Sequence, residues 1–427
     1  MPSSTITSLA GNFGRLWRRG HESFSRDSRR IIQVSGKGAT TYLQGLVTCD
    51  LLSAPTPPRE EDEQLEEEVI ENQPLIDFSE KLRSACFLDN KGRILTDSLL
   101  WKIDETEYLI DVPGDSADNL IGHLKQFVLR RSKVKIIDKS DEISAHVVHG
   151  TLNASSPDGF LAGVDPRHPS LGMRVLSMQP ENAKAFEKMM SSNFPKSEGT
   201  YSLIRKLAGV AEGEELKGRV AGESNQEFLN AVSFQKGCYL GQELTARVQY
   251  TGAIRKRIMP LFLTDLNIEI PRPWLSAAQL QEGRRNLSDS NGALLPRLPR
   301  LSAAAAGTIV GMMSGGMIEN ESPESKELKS QSDALLEEIQ TIQPGQKIYD
   351  VKDGKTIGQI ISSADEGTNV LLAQMRLDRV GLLGDGVWNY TNKITIGDNQ
   401  NQLRYLPYLP LWWPEIDRES GKAITQD

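Results

Sequence analysis

Cysteine is scarce in this chain, with Cys49, Cys86 and Cys238 the three among 427 residues. They share no paired spacing, which argues against a disulfide-built secreted fold and for a reducing compartment. Histidine is almost as rare. His21, His123, His146, His149 and His168 never stand beside a cysteine or carboxylate at metal-ligand spacing, so no self-contained zinc site is expected. Basic residues are not in excess either. With a formal net charge of -8, a clustered basic face for nucleic acid is not expected. No apolar run approaches the roughly twenty residues that span a bilayer, so no membrane role is expected.

What is present begins with length, since a chain this long outgrows a single core and implies two or three domains. Much of the negative charge is concentrated in residues 59–71, bracketed by Pro55, Pro57, Pro58 and Pro74. That composition reads as a solvated insertion, residues 55–74, in a loop. The first twenty residues carry Arg15, Arg18 and Arg19 with several Ser and Thr, and no acid precedes Glu22. Residues 1–28 are therefore expected to be a mitochondrial transit peptide or a disordered terminus.

Hydrophobic spacing then predicts a strand at 30–34, a turn at Gly36-Lys37-Gly38 and a helix carrying Tyr42, Leu43, Leu46 and Val47. A hairpin turning at Asp89-Asn90-Lys91-Gly92 follows, then a strand at 108–112, a helix at 116–128 and a strand at 134–137. New strands at 145–148 and 172–176 and a helix at 183–190 imply a second α+β unit. Residues 271–344 are low in complexity and read as an insertion with one short helix around 335–339. Beyond them, glycine-separated strands at 346–349, 355–362, 369–375 and 393–396 suit a small β-barrel or sandwich. The apolar, proline-rich tail 405–414 should pack against a domain.

The stretch Lys236-Gly237-Cys238-Tyr239-Leu240-Gly241-Gln242-Glu243 concentrates the chemistry. Phe228, Val232 and Phe234 ahead of it share a parity expected of a strand-like approach. Leu240, Leu244 and Val248 behind it form a helical stripe, and Glu243 is placed to pair with Arg247. Gly237 is expected at the turn. Cys238 would then lie near a helix N-terminus beside the Lys236 ammonium, and both favour thiolate. An inert buried sulfur is the alternative.

This octapeptide, extended through Leu244-Thr245-Ala246-Arg247 and Thr251-Gly252-Ala253-Ile254-Arg255-Lys256-Arg257, resembles the signature of the YgfZ family, relatives of the glycine-cleavage T-protein. Other segments agree in order: Tyr42-Leu43-Gln44-Gly45-Leu46-Val47-Thr48, Phe87-Leu88-Asp89-Asn90-Lys91-Gly92-Arg93-Ile94-Leu95, Leu129-Arg130-Arg131, Asp165-Pro166-Arg167 and Gly209-Val210-Ala211-Glu212-Gly213. They cover about 30–261 and, more weakly, 346–379. Asn225, Leu229, Asn230 and Val232-Ser233-Phe234 look most like the mitochondrial branch, the IBA-type factors that mature four-iron, four-sulfur proteins. The two insertions enlarge this chain beyond the family pattern.

The resemblance implies an α+β fold of three subdomains around a central channel. Its parts would be a T-protein-like domain at 29–140, a second α+β domain with the cysteine motif at 141–262, and a C-terminal β-barrel at 263–427. It further implies a mitochondrial matrix assembly factor working with A-type iron-sulfur carrier proteins. Cys238 would be the working sulfur, touching a transient iron-sulfur cluster or exchanging thiols. Lys236, Gly237, Tyr239, Gly241, Gln242 and Glu243 would support it. A tetrahydrofolate-like pocket would be inherited, with Asp97, Arg130, Arg131 and Arg205 as its candidates. Asp97 corresponds to one T-protein acid, while the second falls on Leu207. The competing reading is a folate-dependent aminomethyltransferase-like enzyme using Asp97.

Overall fold

A computed structural model describes residues 20–53, 81–149, 158–168, 171–190, 196–264, 337–365, 368–384, 393–398, 403–407, 413–414 and 416–424. The acidic run, most of the low-complexity insertion and half of the apolar tail fall outside them. By contact the chain divides into two compact units, one holding 19–201 and 212–252, the other 202–211 and 253–427.

In the first unit, alternating apolar residues build a five-stranded antiparallel sheet of β2 (Arg29–Ser35), β3 (Leu82–Leu88), β4 (Ile94–Asp104), β5 (Glu107–Pro113) and β6 (Lys135–Asp138), in the order β3-β4-β5-β2-β6. Strand parity decides what each face meets. Ile32, Val34, Phe87, Leu100 and Ile110 pack with Leu43 of α1 (Ala39–Gln44) and Leu120 and Leu124 of α2 (Ala117–Gln126). Ile31, Leu99, Trp101 and Leu109 instead meet Ile143, Ala145 and Leu176. Those last residues lead to the second sheet, β1-β7-β9-β8, of β1 (Gly20–Ser23), β7 (Ser144–His149), β8 (Phe160–Val164) and β9 (Met173–Ser177). Phe186 of α3 (Pro180–Met190) packs on Val148, Val164, Met173 and Val175.

The second unit contains residues 202–207 of α4 (Thr200–Leu207) and a ring of antiparallel strands. Its strands β10 (Lys256–Thr264), β11 (Lys347–Asp350), β12 (Thr356–Ser362), β13 (Val370–Arg376), β14 (Lys393–Ile396) and β15 (Leu403–Pro407) pair in the order β10-β13-β12-β11-β14-β15, and β15 returns to β10. Closure of this kind leaves no unpaired edge.

Five strands and helices were not expected from spacing. Gly20–Ser23 lies inside the segment read as a targeting or disordered terminus, yet it pairs along its length with β7. Main-chain pairing fixes it, and that signal is invisible in composition. β8, α4 and β10 also escaped, as did β15 within the apolar tail. Trp413, expected to pack, is buried. Residues 337–339 of the expected short helix are helical, the helix runs on to 340, and the expected start lies outside the described residues.

Candidate functional site

The loop that carries the cysteine is held by contacts made before and after it. The Ser233 amide donates to the Thr48 carbonyl and the Leu240 amide to the Gly45 carbonyl, each at 2.9 Å. Between these two bonds the Lys236 side chain turns inward. Its ammonium donates to the carbonyls of Gln44 (2.7 Å), Val47 (2.7 Å) and Cys49 (2.8 Å), and sits 4.8 Å from the Tyr239 ring centroid. Burial lowers the Lys236 pKa to about 8 and raises that of Tyr239 to about 12. Cys238, two residues on, is exposed. Cys49 and Cys86 are buried, the Cys86 thiol donating to Gln226 Oε1 at 3.2 Å.

Several expectations for this segment need correction. The stretch before the loop is not strand-like, because residues 225–230 form turns. Lys236 does not attend Cys238, because three carbonyls use all its donors. The helix, α5 (Gln242–Tyr250), begins four residues past Cys238, whereas a helix-end field fades within a turn. Glu243 and Arg247 are both exposed, and no ion pair joins them.

The turn glycine is Gly241 rather than Gly237. Gly241 caps α5 at φ 79°, and a Cβ there would lie 2.5 Å from the Asp89 carbonyl oxygen and 3.0 Å from Gly92 Cα. The loop is thereby seated on the β3–β4 turn. A Gly241→Ala change combines a left-handed penalty of roughly 1–2 kcal/mol with overpacking of about 1–3 kcal/mol. Gly237→Ala meets nothing within 4 Å. Thermal melting should therefore drop by several degrees for Gly241→Ala and hold for Gly237→Ala. Equal melting temperatures would contradict the seating described.

Asp97 enters a different environment. It lies on β4 opposite Cys86, buried, its Oδ1 accepting the Gly213 amide at 2.8 Å and its Oδ2 lying 3.7 Å from Arg167 Nη1. Arg167 grips Asp165 with Nε at 3.0 Å and Nη2 at 2.8 Å, and reaches Glu212 with Nη1 at 2.6 Å. Arg174 Nε joins Asp165 at 3.0 Å and stacks its guanidinium over Tyr201, 4.4 Å from the ring centroid. The Tyr201 hydroxyl meets Arg167, Arg174 and Glu212. Arg29 Nε binds Asp111 at 2.7 Å and Nη1 lies 3.5 Å from Glu212.

Four carboxylates, Asp97, Asp111, Asp165 and Glu212, thus face three guanidinium groups, Arg29, Arg167 and Arg174. Burial, reinforced by Glu212, raises the Asp97 pKa to about 6 against the pull of Arg29 and Arg167. Burial also opposes the charge of Asp165, but Arg167 wins and its pKa is lowered. Burial and a neighbouring carboxylate raise one acid of the cluster, and a close guanidinium lowers another.

The other folate candidates have surroundings of their own. Arg130 and Arg131 are exposed on a single 3-10 turn after α2. Arg205 donates to the Val210 carbonyl at 2.9 Å at the end of α4. An acid near Asp97 is nevertheless supplied, by Glu212 rather than by the position of Leu207, which is fully buried. Asp165-Pro166-Arg167 and Glu212-Gly213 were the signals for this cluster, and spacing could not show that they meet. Among the described residues no group of three or more His, Cys, Asp or Glu could hold a metal ion.

A third buried assembly lies on β1, β7 and β9. His146 Nδ1 and Nε2 lie 2.8 Å from Ser23 Oγ and Ser177 Oγ, and Ser23 Oγ donates to Glu187 Oε1 at 2.5 Å. Ser23 therefore accepts from His146 Nδ1–H, leaving Nε2 to accept from Ser177. That is a neutral imidazole, and burial lowers its pKa to about 4.

No family model matches the chain. Curated relatives do. It is 30% identical over 271 residues to "Iron-sulfur cluster assembly factor IBA57 homolog, mitochondrial" of Coccidioides immitis, an alignment covering 59% of this chain and 58% of that protein. The protein of the same name from Dictyostelium discoideum is 31% identical over 278 residues, covering 57% and 62%. The one from Mycosarcoma maydis is 27% identical over 406 residues, covering 90% and 83%. Against the first of these the match spans little more than half the relative's length. Among solved structures, the aminomethyltransferase T of the glycine cleavage system from Bartonella henselae superimposes with a TM-score of 0.56 at 9% identity, covering 97% of this chain and 91% of that one. That likeness concerns the fold alone.

Proposed function

We infer, starting from a chain that is a relative of the mitochondrial IBA57-type iron-sulfur cluster assembly factors and is built on a T-protein-like fold, that it matures four-iron, four-sulfur proteins in the mitochondrial matrix through Cys238. The observation that carries this reading is the exposed Cys238 on a loop fastened before, within and after the motif. One thiolate cannot hold a cluster alone, because clusters are held by several cysteine ligands. The remaining ligands would come from an A-type carrier protein, and the cluster is cargo rather than a resident group. Gly237, exposed and with open space around its Cα, lets a partner backbone come close.

The aminomethyltransferase-like alternative asks Asp97 to serve a bound folate. Asp97 is already engaged by Gly213 and lies within an arginine-bound cluster, and Arg130 and Arg131 are exposed on a separate turn. These residues do not fit a pterin cradle, so no step is routed through folate.

Cys238→Ser and Asp97→Asn, compared in mitochondria by the activity of a four-iron enzyme, separate the two. Cys238→Ser is expected to lower that activity at least about tenfold while the melting temperature holds, since a surface substitution typically changes stability by under about 0.5 kcal/mol. Asp97→Asn should leave the activity near that of the parent. Loss with Asp97→Asn alone would favour the transferase.

A further inference from the structure

We propose that Lys236 is a positioning residue for Cys238, an internal latch that fastens the middle of the motif loop to the segment closing α1. That the position matters for function rests on Cys238 being the working sulfur. The latch itself rests on geometry. An ammonium has three N–H donors and no acceptor, and here three main-chain carbonyls, Gln44, Val47 and Cys49, converge on it within 2.8 Å. They come from one short segment, residues 44–49, so a single side chain closes that segment as well as the loop. Tyr239, itself buried, covers the ammonium from the other side of Cys238 in sequence. With Lys236 and Tyr239 both turned inward, the backbone between them carries Gly237 and Cys238 to the surface.

The chemistry of the latch is specific to lysine. Methionine can follow the same path but leaves the carbonyls without their donor, which is costly in a buried site. Arginine keeps the charge, yet its donors lie in a planar fork and cannot bring one nitrogen to three converging oxygens. The role is therefore separable from simple charge next to a thiol.

A nitroxide attached at Cys238 reads the latch directly, since the other two cysteines are buried. The parent should give a motionally restricted line shape, and Lys236→Met and Lys236→Arg should both convert most of it to a mobile one. Met375→Ala in β13, a buried position in the other unit, serves as a stability control and should keep the parental line shape. A restricted spectrum in both Lys236 variants, or in Lys236→Arg alone, would overturn the latch. Maturation of a four-iron enzyme should fall at least about fivefold in both Lys236 variants. Activity kept in these variants but lost in Cys238→Ser defeats the positioning role. Activity kept in Cys238→Ser as well defeats the reading of the cysteine instead.

Discussion

Replacing Arg167 by methionine is expected to lower the stability of the unit that contains it by roughly 3–5 kcal/mol, the cost of breaking a buried ion cluster from one side. The guanidinium binds Asp165 through two nitrogens, donates to Glu212 and lies 3.7 Å from Asp97, and all three acids are buried or nearly so. Its removal takes away the guanidinium that touches all three, so charges are stranded where water cannot compensate. Asp97→Asn should behave in the opposite sense. The Asp97 pKa is about 6 in the fold against roughly 3.9 in an unfolded chain. At pH 7 its ionised form therefore opposes folding by up to about 3 kcal/mol. Asparagine keeps an oxygen for the Gly213 amide and removes a negative charge that burial disfavours. Urea unfolding of the two variants beside the parent decides the matter, with Arg167→Met shifted to lower urea and Asp97→Asn unshifted or shifted higher. Similar losses in both would mean that Asp97 is a required anion and that burial does not disfavour its charge.

That cluster marks the limit of what the sequence discloses. Period-two runs such as Ile94 to Asp104, and the turn Asp89 to Gly92, announce the central hairpin because strand parity and turn chemistry are local. Ile31, Val34 and Leu109 could likewise be placed in strands from their neighbours. Arg29, Asp97, Arg174 and Glu212 could not be placed together, since they meet only after two sheets and a turn have packed. β8 was hidden for a different reason, its Ala162 and Gly163 giving no apolar alternation. At the motif, the residue types were legible while their directions were not. Lys236 and Cys238 share a parity, yet one turns inward to carbonyl oxygens and the other outward. Parity governs direction only in a strand, and this segment is a loop. The same limit explains why Gly241, with its left-handed backbone, replaced Gly237 as the turn residue.

Mild acid should weaken the same unit, and the sign follows from which state takes up protons. His146 and His149 have pKa values lowered by burial to about 4 and about 3, whereas an unfolded histidine titrates near 6.5. Between roughly pH 6.5 and 4 the unfolded chain gains a proton on each and the folded chain on neither. Stability therefore falls as pH falls through this window. Asp97 works the other way, because below about 6 the folded state takes up its proton first. Two protons less one leaves about one, or roughly 1.4 kcal/mol of stability lost per pH unit between 6 and 4. Glu22, raised by burial, adds to the Asp97 side, and His123, lowered by burial, adds to the histidine side. His146 faces Ser23, Ser177, His21, Glu187 and Phe186, and His149 faces Tyr201 and Arg174. His146→Gln removes one of the two imidazoles while an amide can still donate to Ser23 and accept from Ser177. The urea midpoint should decline from pH 6 to pH 4.5 in the parent and stay nearly level in His146→Gln. A level parent profile would show that these histidines are solvated in the fold, and the relay from Ser177 through His146 to Glu187 would lose its physical basis.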